Sequence, residues 1–173
     1  MRRTSTRNLT RSALAAATSA AALLMTVPSA SAVPTSYESD ACSSANNRYC
    51  FEIYYNSHGA TTGYSYSACF VANKSIPDHY GYSPNGAVLV RYVYRGGQLP
   101  NHTGCDMASG SGLGIKNNAA SAANNECGVS NRIYYNSGYQ GTYETFPAGC
   151  GSYWPASNLK SSLKNENASH KRL

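Results

Sequence analysis

The sequence has little of what enzymes and metal sites use. Charged residues make up only 13% of the 173 positions, and the acidic ones are isolated, so no carboxylate pair suggests glycosidase chemistry. The histidines and cysteines show no H-x-x-x-H or C-x-x-C spacing, which argues against a zinc site, and no G-x-S-x-G motif is present. Asp78-His79 lies near Ser75, but closeness in sequence does not make a catalytic triad. We expect these residues at surface or turn positions of a protein that is not an enzyme.

Helical periodicity is also missing. No segment repeats apolar residues at i, i+3, i+4 and i+7, and the best helical candidate, residues 158–164, could equally form an arch. Tyrosine is abundant instead, with 15 in the chain, and short turn sequences such as residues 83–86 recur. Residues 51–55 alternate, which places Phe51, Ile53 and Tyr55 on one face of a strand. The sequence therefore predicts an all-β protein.

The first 32 residues have the three parts of a secretory signal peptide. Four arginines lie near the N terminus, residues 13–27 are small and apolar, and Ala30-Ser31-Ala32 fits an A-x-A cleavage site. The apolar stretch is too short and too polar to anchor the chain in a membrane. Cleavage removes the four arginines, so the formal net charge falls from +6 to +2. We expect a secreted, extracellular protein with neither a membrane nor a nucleic-acid partner.

Six cysteines follow the cleavage site, and an even number in an exported chain predicts three disulfides. Fifteen pairings are possible, and the sequence alone does not choose between them. We prefer the sequential arrangement, which joins Cys42 to Cys50, Cys69 to Cys105, and Cys127 to Cys150. Each bond would stabilise the fold by about 2–4 kcal/mol by restricting the unfolded chain. If all six cysteines are paired, none remains as a nucleophile or zinc ligand.

One phrase of the sequence occurs twice. Residues 53–57 and 133–137 both read IYYNS, and each copy is followed by a K-N-x-x-A-S segment, at residues 116–121 and 164–169. The IYYNS and KNxxAS segments start 63 positions apart in the first copy and 31 positions apart in the second. The first copy therefore carries 32 extra residues between them. Two units are too few for a solenoid, and the pair must close on itself. We expect each copy to supply one sheet of an antiparallel sandwich.

The second copy resembles the βγ-crystallin Greek-key motif. Tyr134, Tyr139 and Gly141 match its spacing of aromatic, four residues, aromatic, one residue and glycine. In that motif the glycine adopts a conformation that other residues resist, and the aromatic ring packs on it. The first copy is degenerate, because Gly59 and Thr61 stand where the aromatic residue and the glycine belong.

The resemblance covers residues 50–173. It implies an all-β, disulfide-bonded sandwich of two Greek-key motifs. The first motif would span residues 50–122 and contain the insertion, and the second would span residues 131–173. Residues 33–49 would form an N-terminal segment before the domain.

Exported, disulfide-bonded proteins that carry IYYNS resemble the bacterial peptidase inhibitor family typified by the Streptomyces metalloproteinase inhibitor. In that family a βγ-crystallin-like scaffold presents an inhibitory loop to thermolysin-like zinc proteases. The resemblance implies a monomer whose partner is an extracellular protease. Two other classes stay open because one fold serves many functions. They are a secreted antagonist resembling the βγ-crystallin-type killer toxins, and a cell-surface module that contacts glycans through tyrosine and asparagine.

A substrate-like inhibitor needs an exposed segment that is pinned at its base, because preorganisation reduces the entropy lost on binding. The family's reactive bond lies beside a disulfide-bonded cysteine and is followed by an apolar side chain. Cys69-Phe70-Val71 is the closest likeness, although its two apolar residues could instead be core residues of a strand. A second candidate is the Gly-rich segment from residue 95 to residue 105, which carries Leu99 and Pro100.

The crystallin motif also resembles a family in which N/D-N/D-x-x-S/T-S loops bind calcium. The two KNxxAS segments match this pattern in part, with Ala122 and His170 at the final serine position. Calcium prefers several oxygen ligands that include carboxylates, whereas these segments offer mostly amides and hydroxyls. We expect a weak site or none, since the same residues could hydrogen-bond their own backbone. The candidate ligands are Asn117, Asn118, Ser121, Asn165 and Ser169, and no other cofactor is expected.

Overall fold

Short β-strands joined by turns build the whole described structure. The computed structural model describes residues 32–42, 50–59, 67–97, 105, 108–150 and 156–173. All regular elements within these residues are strands, which confirms the all-β prediction, and none is a helix long and apolar enough to cross a membrane. The strands are β1 (Thr35–Glu38), β2 (Asp40–Ala41), β3 (Phe51–Tyr54), β4 (Cys69–Ala72), β5 (Gly81–Tyr82), β6 (Leu89–Tyr92), β7 (Ser121–Asn124), β8 (Asn131–Asn136), β9 (Gln140–Phe146), β10 (Ser157–Asn158) and β11 (Ser169–Arg172).

The strands form three sheets. The largest has the order β10-β7-β3-β4-β2, the second has the order β11-β8-β9, and the third has the order β1-β6-β5. Pairing is antiparallel except that β1 lies parallel to β6 and β2 lies parallel to β4. Both of these parallel strands come from the N-terminal segment, residues 33–49. Residues 35–38 and 40–41 of that segment are therefore part of the sheets, although their sequence shows no strand-like apolar pattern.

The two copies of the repeat pair in the same register. In the first copy β3 lies antiparallel to β7, with Tyr54 opposite Ser121. In the second copy β8 lies antiparallel to β11, with Tyr134 opposite Ser169. The IYYNS strand of each copy thus lies beside the strand that begins at the serine of its own KNxxAS segment. This shared register explains why the two parts of the phrase recur together.

A short stretch of each copy pairs with the other copy. Ser157 of β10 pairs with Ala122 in β7, and Ile76 pairs with His170 at the equivalent position of β11. In both copies this stretch begins 23 or 24 positions after the isoleucine of IYYNS. The 32 extra residues of the first copy therefore lie between Ile76 and Lys116. They contribute β5 and β6, the two strands that pair with each other in the third sheet.

A shared core lies between the five-stranded sheet and the β11-β8-β9 sheet. Phe51 and Ile53 of β3 are fully buried together with Ile133 of β8, and the ring of Phe51 lies 5.4 Å from that of Phe146 in β9. Burying side chains of this size stabilises the fold by about 2–3 kcal/mol each. Tyr55 packs against the same cluster, which confirms the predicted face of the first IYYNS strand.

The cysteines pair sequentially, in the arrangement preferred from the sequence. The bonds join Cys42 to Cys50, Cys69 to Cys105, and Cys127 to Cys150. The first two bonds lie in a second buried cluster with Tyr54 and Val71. Because side chains alternate along β3, this cluster covers the face of the five-stranded sheet opposite to the shared core. The three disulfides fit an extracellular protein.

The hairpin between β8 and β9 has the local geometry predicted for the motif glycine. Gly141 has a φ of 79°, and a Cβ there would lie 3.0 Å from Asn136 Nδ2 and 3.4 Å from Tyr135 Cβ. The rings of Tyr134 and Tyr139 are in contact, with centroids 6.0 Å apart. Any larger residue at position 141 would be strained by both φ and crowding. The Greek-key topology itself stays a prediction.

Candidate functional site

The same hydrogen bond closes each copy of the repeat. Ser121 Oγ donates to the carbonyl of Asn56, and Ser169 Oγ donates to the carbonyl of Asn136, both at 2.7 Å. Both serines are fully buried. The last residue of each KNxxAS segment therefore fixes the turn that follows its own IYYNS strand.

Beside each of these turns lies a polar cleft. The first cleft has a volume of 330 Å³, and residues of both copies line it. Lys164 Nζ of the second copy donates a hydrogen bond to Ser57 Oγ of the first, at 2.7 Å. The lining residues in the described part of the chain include no carboxylate; they are Tyr55, Asn56, Ser57, Asn118, Ala120, Lys164 and Asn165.

The second cleft is the counterpart of the first with the copies exchanged. Its volume is 220 Å³, and it is lined by Lys116, Asn117, Tyr135, Asn136, Ser137, Glu166 and Ala168. Lys116 Nζ of the first copy donates to Ser137 Oγ of the second, at 2.9 Å, and to Asp78 Oδ1, also at 2.9 Å. Partial burial raises the pKa of Asp78, but the Tyr80 N–H and the Lys116 ammonium outweigh it and hold that pKa below its usual value.

The five calcium candidates separate in the structure. Asn118 and Asn165 line the first cleft and Asn117 lines the second, whereas Ser121 and Ser169 are buried and bonded to backbone carbonyls. The described residues hold no group of three or more histidine, cysteine or acidic side chains that could bind a metal. In each cleft a lysine ammonium already bonds a serine hydroxyl oxygen of the lining. The residues present therefore do not fit a calcium ion in either cleft.

Two histidines far apart in the sequence form a buried chain of hydrogen bonds. His79 and His170 are fully buried, and His79 Nε2 lies 2.9 Å from His170 Nδ1. Asn167 Nδ2 can only donate, and it lies 2.8 Å from His79 Nδ1, so the proton of His79 must be on Nε2. His170 then accepts at Nδ1 and donates from Nε2 to the carbonyl of Lys74, at 3.0 Å. Each ring nitrogen has a partner only while both imidazoles are neutral.

Burial favours this neutral form. It lowers the pKa of His79 well below 6.5, and the neighbouring His170 lowers it further. Burial also lowers the pKa of His170 to about 4, although the bond to the Lys74 carbonyl acts in the opposite direction. The expectation of a surface or turn position is wrong for His170, which is buried within β11, whereas His79 does lie in a turn, although it is fully buried. Neither ring nitrogen of His79 faces Ser75, whose Oγ accepts a hydrogen bond from the Arg172 N–H.

Asn167 orients this chain and joins it to the repeat. Its Oδ1 accepts the N–H groups of Asn118, at 3.1 Å, and Ala119, at 2.8 Å. Its Nδ2 donates to the Ile115 carbonyl, at 2.7 Å, and to His79. Because two backbone N–H groups fix the oxygen, the amide cannot be turned over without breaking bonds. The sequence gives no signal for this residue, since position 167 is variable within the KNxxAS phrase.

The first candidate for an inhibitory loop is wrong. Cys69, Phe70 and Val71 form most of β4 and are each fully buried. β4 lies between β3 and β2, so both of its edges are paired and both of its faces are covered. A protease could not reach this peptide bond without unfolding the sheet. The second candidate pair, Leu99 and Pro100, lies outside the described residues.

The segment that leads to the second candidate is closed at its base. Cys69 and Arg95 exchange two backbone hydrogen bonds, of 3.1 and 2.9 Å, and the Gly97 N–H donates to the carbonyl of Cys105 at 3.0 Å. The disulfide joins Cys105 to Cys69 in β4. Arg95 and Gly97 are exposed, whereas Cys105 is fully buried. The chain therefore leaves the sheet and returns to it at one covalently fixed point.

The third sheet exposes tyrosines. Tyr37 is 71% exposed, Tyr80 44% and Tyr82 43%, and the guanidinium carbon of Arg91 lies 3.6 Å from the centroid of the Tyr80 ring. Gly81 lets β5 lie close to β6, because a Cβ at position 81 would lie 1.9 Å from the backbone oxygen of Val90 in β6. These strands belong largely to the 32-residue insertion. The insertion thus provides most of the closed base and most of the aromatic surface, to which Cys69 and Tyr37 also contribute.

Comparison of the chain with protein-family models, with curated proteins and with solved structures finds no match in any of the three.

Proposed function

We propose that this protein is a secreted, monomeric peptidase inhibitor, with thermolysin-like metalloproteinases as its first target class. The observation that carries the proposal is the closed base formed by Cys69, Arg95, Gly97 and Cys105. A substrate-like loop binds tightly only if little conformational freedom is lost on binding, and a disulfide anchored in a buried strand reduces that loss. The segment that starts and ends at this base carries Leu99 and Pro100, outside the described residues.

The sequence resemblance supports the same proposal. Exchange of β10 and of Ile76 between the two copies is compatible with two interlocked βγ-crystallin-like Greek keys. The disulfides and the A-x-A cleavage signal support an exported protein. A rigid scaffold with one pinned segment is the arrangement that protein inhibitors of proteases use.

The test is a titration of the mature protein, residues 33–173, against thermolysin-like, subtilisin-like and papain-like proteases. We expect stoichiometric inhibition of the thermolysin-like enzyme. L99D should abolish inhibition without lowering the melting temperature. L113D is the matched control, because Leu113 is a 46% exposed leucine of the same insertion and lies away from the closed base in sequence. Absence of inhibition of all three classes at about 10 μM inhibitor would contradict the proposal.

A second candidate function is supported by the third sheet. Exposed tyrosines with an arginine stacked on one of them are suited to bind sugar rings, because an aromatic face and a planar cation offer both apolar and polar contacts. Tyr37, Tyr80 and Arg91 would form that surface of a glycan-binding module. If the titration shows no inhibition and the protein is retained on insoluble cell-wall polysaccharide, this second function replaces the first. No comparable observation among the described residues favours the toxin alternative.

A further inference from the structure

Each cleft receives a lysine ammonium from the opposite copy of the repeat. Lys164 Nζ lies 2.7 Å from Ser57 Oγ, and Lys116 Nζ lies 2.9 Å from Ser137 Oγ. The lysines are the first residues of the two KNxxAS segments, and the serines are the last residues of the two IYYNS segments. The next residues, Asn117 and Asn165, share a left-handed φ of 58° and 59°, so the backbone turns in the same way beside each lysine.

An ammonium group can satisfy the same oxygen atoms that a metal cation would coordinate. It carries one positive charge and three N–H donors, and it reaches oxygen at 2.7–2.9 Å here. Calcium would bring two charges and need six to eight oxygens at about 2.3–2.6 Å. A fixed ammonium group among the oxygens takes the space of such an ion and repels it.

The two clefts differ in their carboxylates. Asp78 forms an ion pair with Lys116, and Glu166 lines the second cleft together with that lysine. In the first cleft the described lining residues offer amides and hydroxyls but no carboxylate, and Lys164 bonds Ser57 Oγ. Removal of the lysine would therefore leave carboxylate ligands in the second cleft only.

We infer that Lys116 and Lys164 are the resident cations of the two clefts and that they take the place of calcium. The wild-type protein then binds no calcium in either cleft. The second cleft is a latent calcium site, which loss of the Lys116 ammonium would open. The first cleft is not, because its lining residues within the described part of the chain offer no carboxylate, the ligand that calcium usually takes from proteins.

The test compares melting temperatures in a chelator and in about 5 mM calcium, a concentration above the weakest dissociation constants of extracellular calcium modules. The wild type should melt at the same temperature in both. K116M should melt lower than the wild type in chelator and regain about 3–5 °C with calcium. K164M is the matched control from the other cleft, and it should melt lower in chelator without regaining stability. K116R keeps the charge and should behave as the wild type does.

Calcium-dependent stabilisation of the wild type would overturn the inference, and so would a K116M variant that ignores calcium. If K116M does not fold in chelator, the recovery of its circular dichroism spectrum on adding calcium replaces the melting temperature. Recovery would support the latent site, and failure to recover would contradict it. Magnesium, which demands a smaller octahedral site, should not substitute for calcium.

Discussion

The two copies of the repeat have the same strand register and the same closing hydrogen bond, but they differ in what surrounds them. Ser121 and Ser169 make equivalent bonds of 2.7 Å, and Tyr54 and Tyr134 occupy equivalent places in β3 and β8. The first copy carries the insertion with the disulfide between Cys69 and Cys105. The second copy carries Asn167, where the first has Ala119. The shared residues therefore build the architecture, and the unshared ones attach the insertion to it.

Asn167 shows how this attachment works. Its amide bonds three backbone groups of the first copy, at Ile115, Asn118 and Ala119, and the His79 ring at the start of the insertion. An alanine at the equivalent position of the first copy cannot make such bonds. The insertion is thus held by the opposite copy. We therefore expect stability to depend more on Asn167 than on the residues that the two copies share.

Replacing Asn167 with alanine should give the largest effect. The substitution removes four hydrogen bonds of the Asn167 amide, and each costs about 1 kcal/mol or more. The Ala119 N–H and His79 Nδ1 lose their partner, whereas the Asn118 N–H and the Ile115 carbonyl keep a bond of 3.4 Å to each other. We expect the free energy of unfolding to fall by about 3–5 kcal/mol, measured by urea denaturation at pH 7. Asn165→Ala is the control, because Asn165 is exposed and two positions away, and it should cost only about 1 kcal/mol for its left-handed φ. Equal effects of the two substitutions would show that Asn167 has no special role.

The second prediction concerns pH, because only the side of the fold around β11 contains the buried histidine pair. Above pH 6.5 both histidines are neutral in the folded and unfolded chains, and they make no pH-dependent contribution. Below pH 6.5 the unfolded chain takes up protons that the folded chain cannot, so stability falls as the pH falls. For His170, whose pKa is about 4, the loss reaches about 3 kcal/mol at pH 4. His79 adds to this loss in the same direction.

Urea denaturation at several pH values between 7.5 and 4 measures this slope. The wild type should lose about 1.4 kcal/mol per pH unit for each buried histidine within the window. A double variant with glutamine at positions 79 and 170 should be less stable at pH 7 but nearly independent of pH down to 5. The pKa of Asp78 is lowered from 3.8, so the stability that Asp78 contributes is lost only as the pH falls below that value. The effect of Asp78 therefore lies at lower pH than the effect of the histidines. A wild type with flat stability from pH 6.5 to 4.5 would contradict the neutral histidine chain.

Much of the architecture follows from local sequence patterns. Alternation around Phe51 and Ile53 predicts β3 and its buried face, and the even cysteine count predicts three disulfides, although not their pairing. The spacing of Tyr134, Tyr139 and Gly141 predicts the left-handed glycine. The strand alternation and the glycine spacing depend on residues close together in the chain, which is why the sequence is sufficient for these two features.

Features formed by distant residues could not be predicted in this way. An apolar pair after a cysteine looks the same whether it is a reactive bond or a core strand. Phe70 is buried because its side chain packs in the shared core, with its ring 5.3 Å from that of Tyr92. His79 and His170 are 91 positions apart and carry no common motif. The lysines reach clefts of the opposite copy, and only the exchange of strands between the copies brings them there. Sequence spacing has no information on any of these contacts.

The smallest expected effect tests the shared part of the two copies. Ser121→Ala and Ser169→Ala each remove the bond that closes one copy, and the first should cost about 1 kcal/mol of unfolding free energy. The second should cost about 1 kcal/mol more, because Ser169 Oγ also accepts the Tyr139 N–H at 3.1 Å. Urea denaturation of both single variants and of the double variant measures this difference. The two serines do not share a partner, so the two costs should add in the double variant. A Ser121→Ala cost equal to or above that of Ser169→Ala would show that the surroundings, and not the shared bond, determine how strongly each copy is closed.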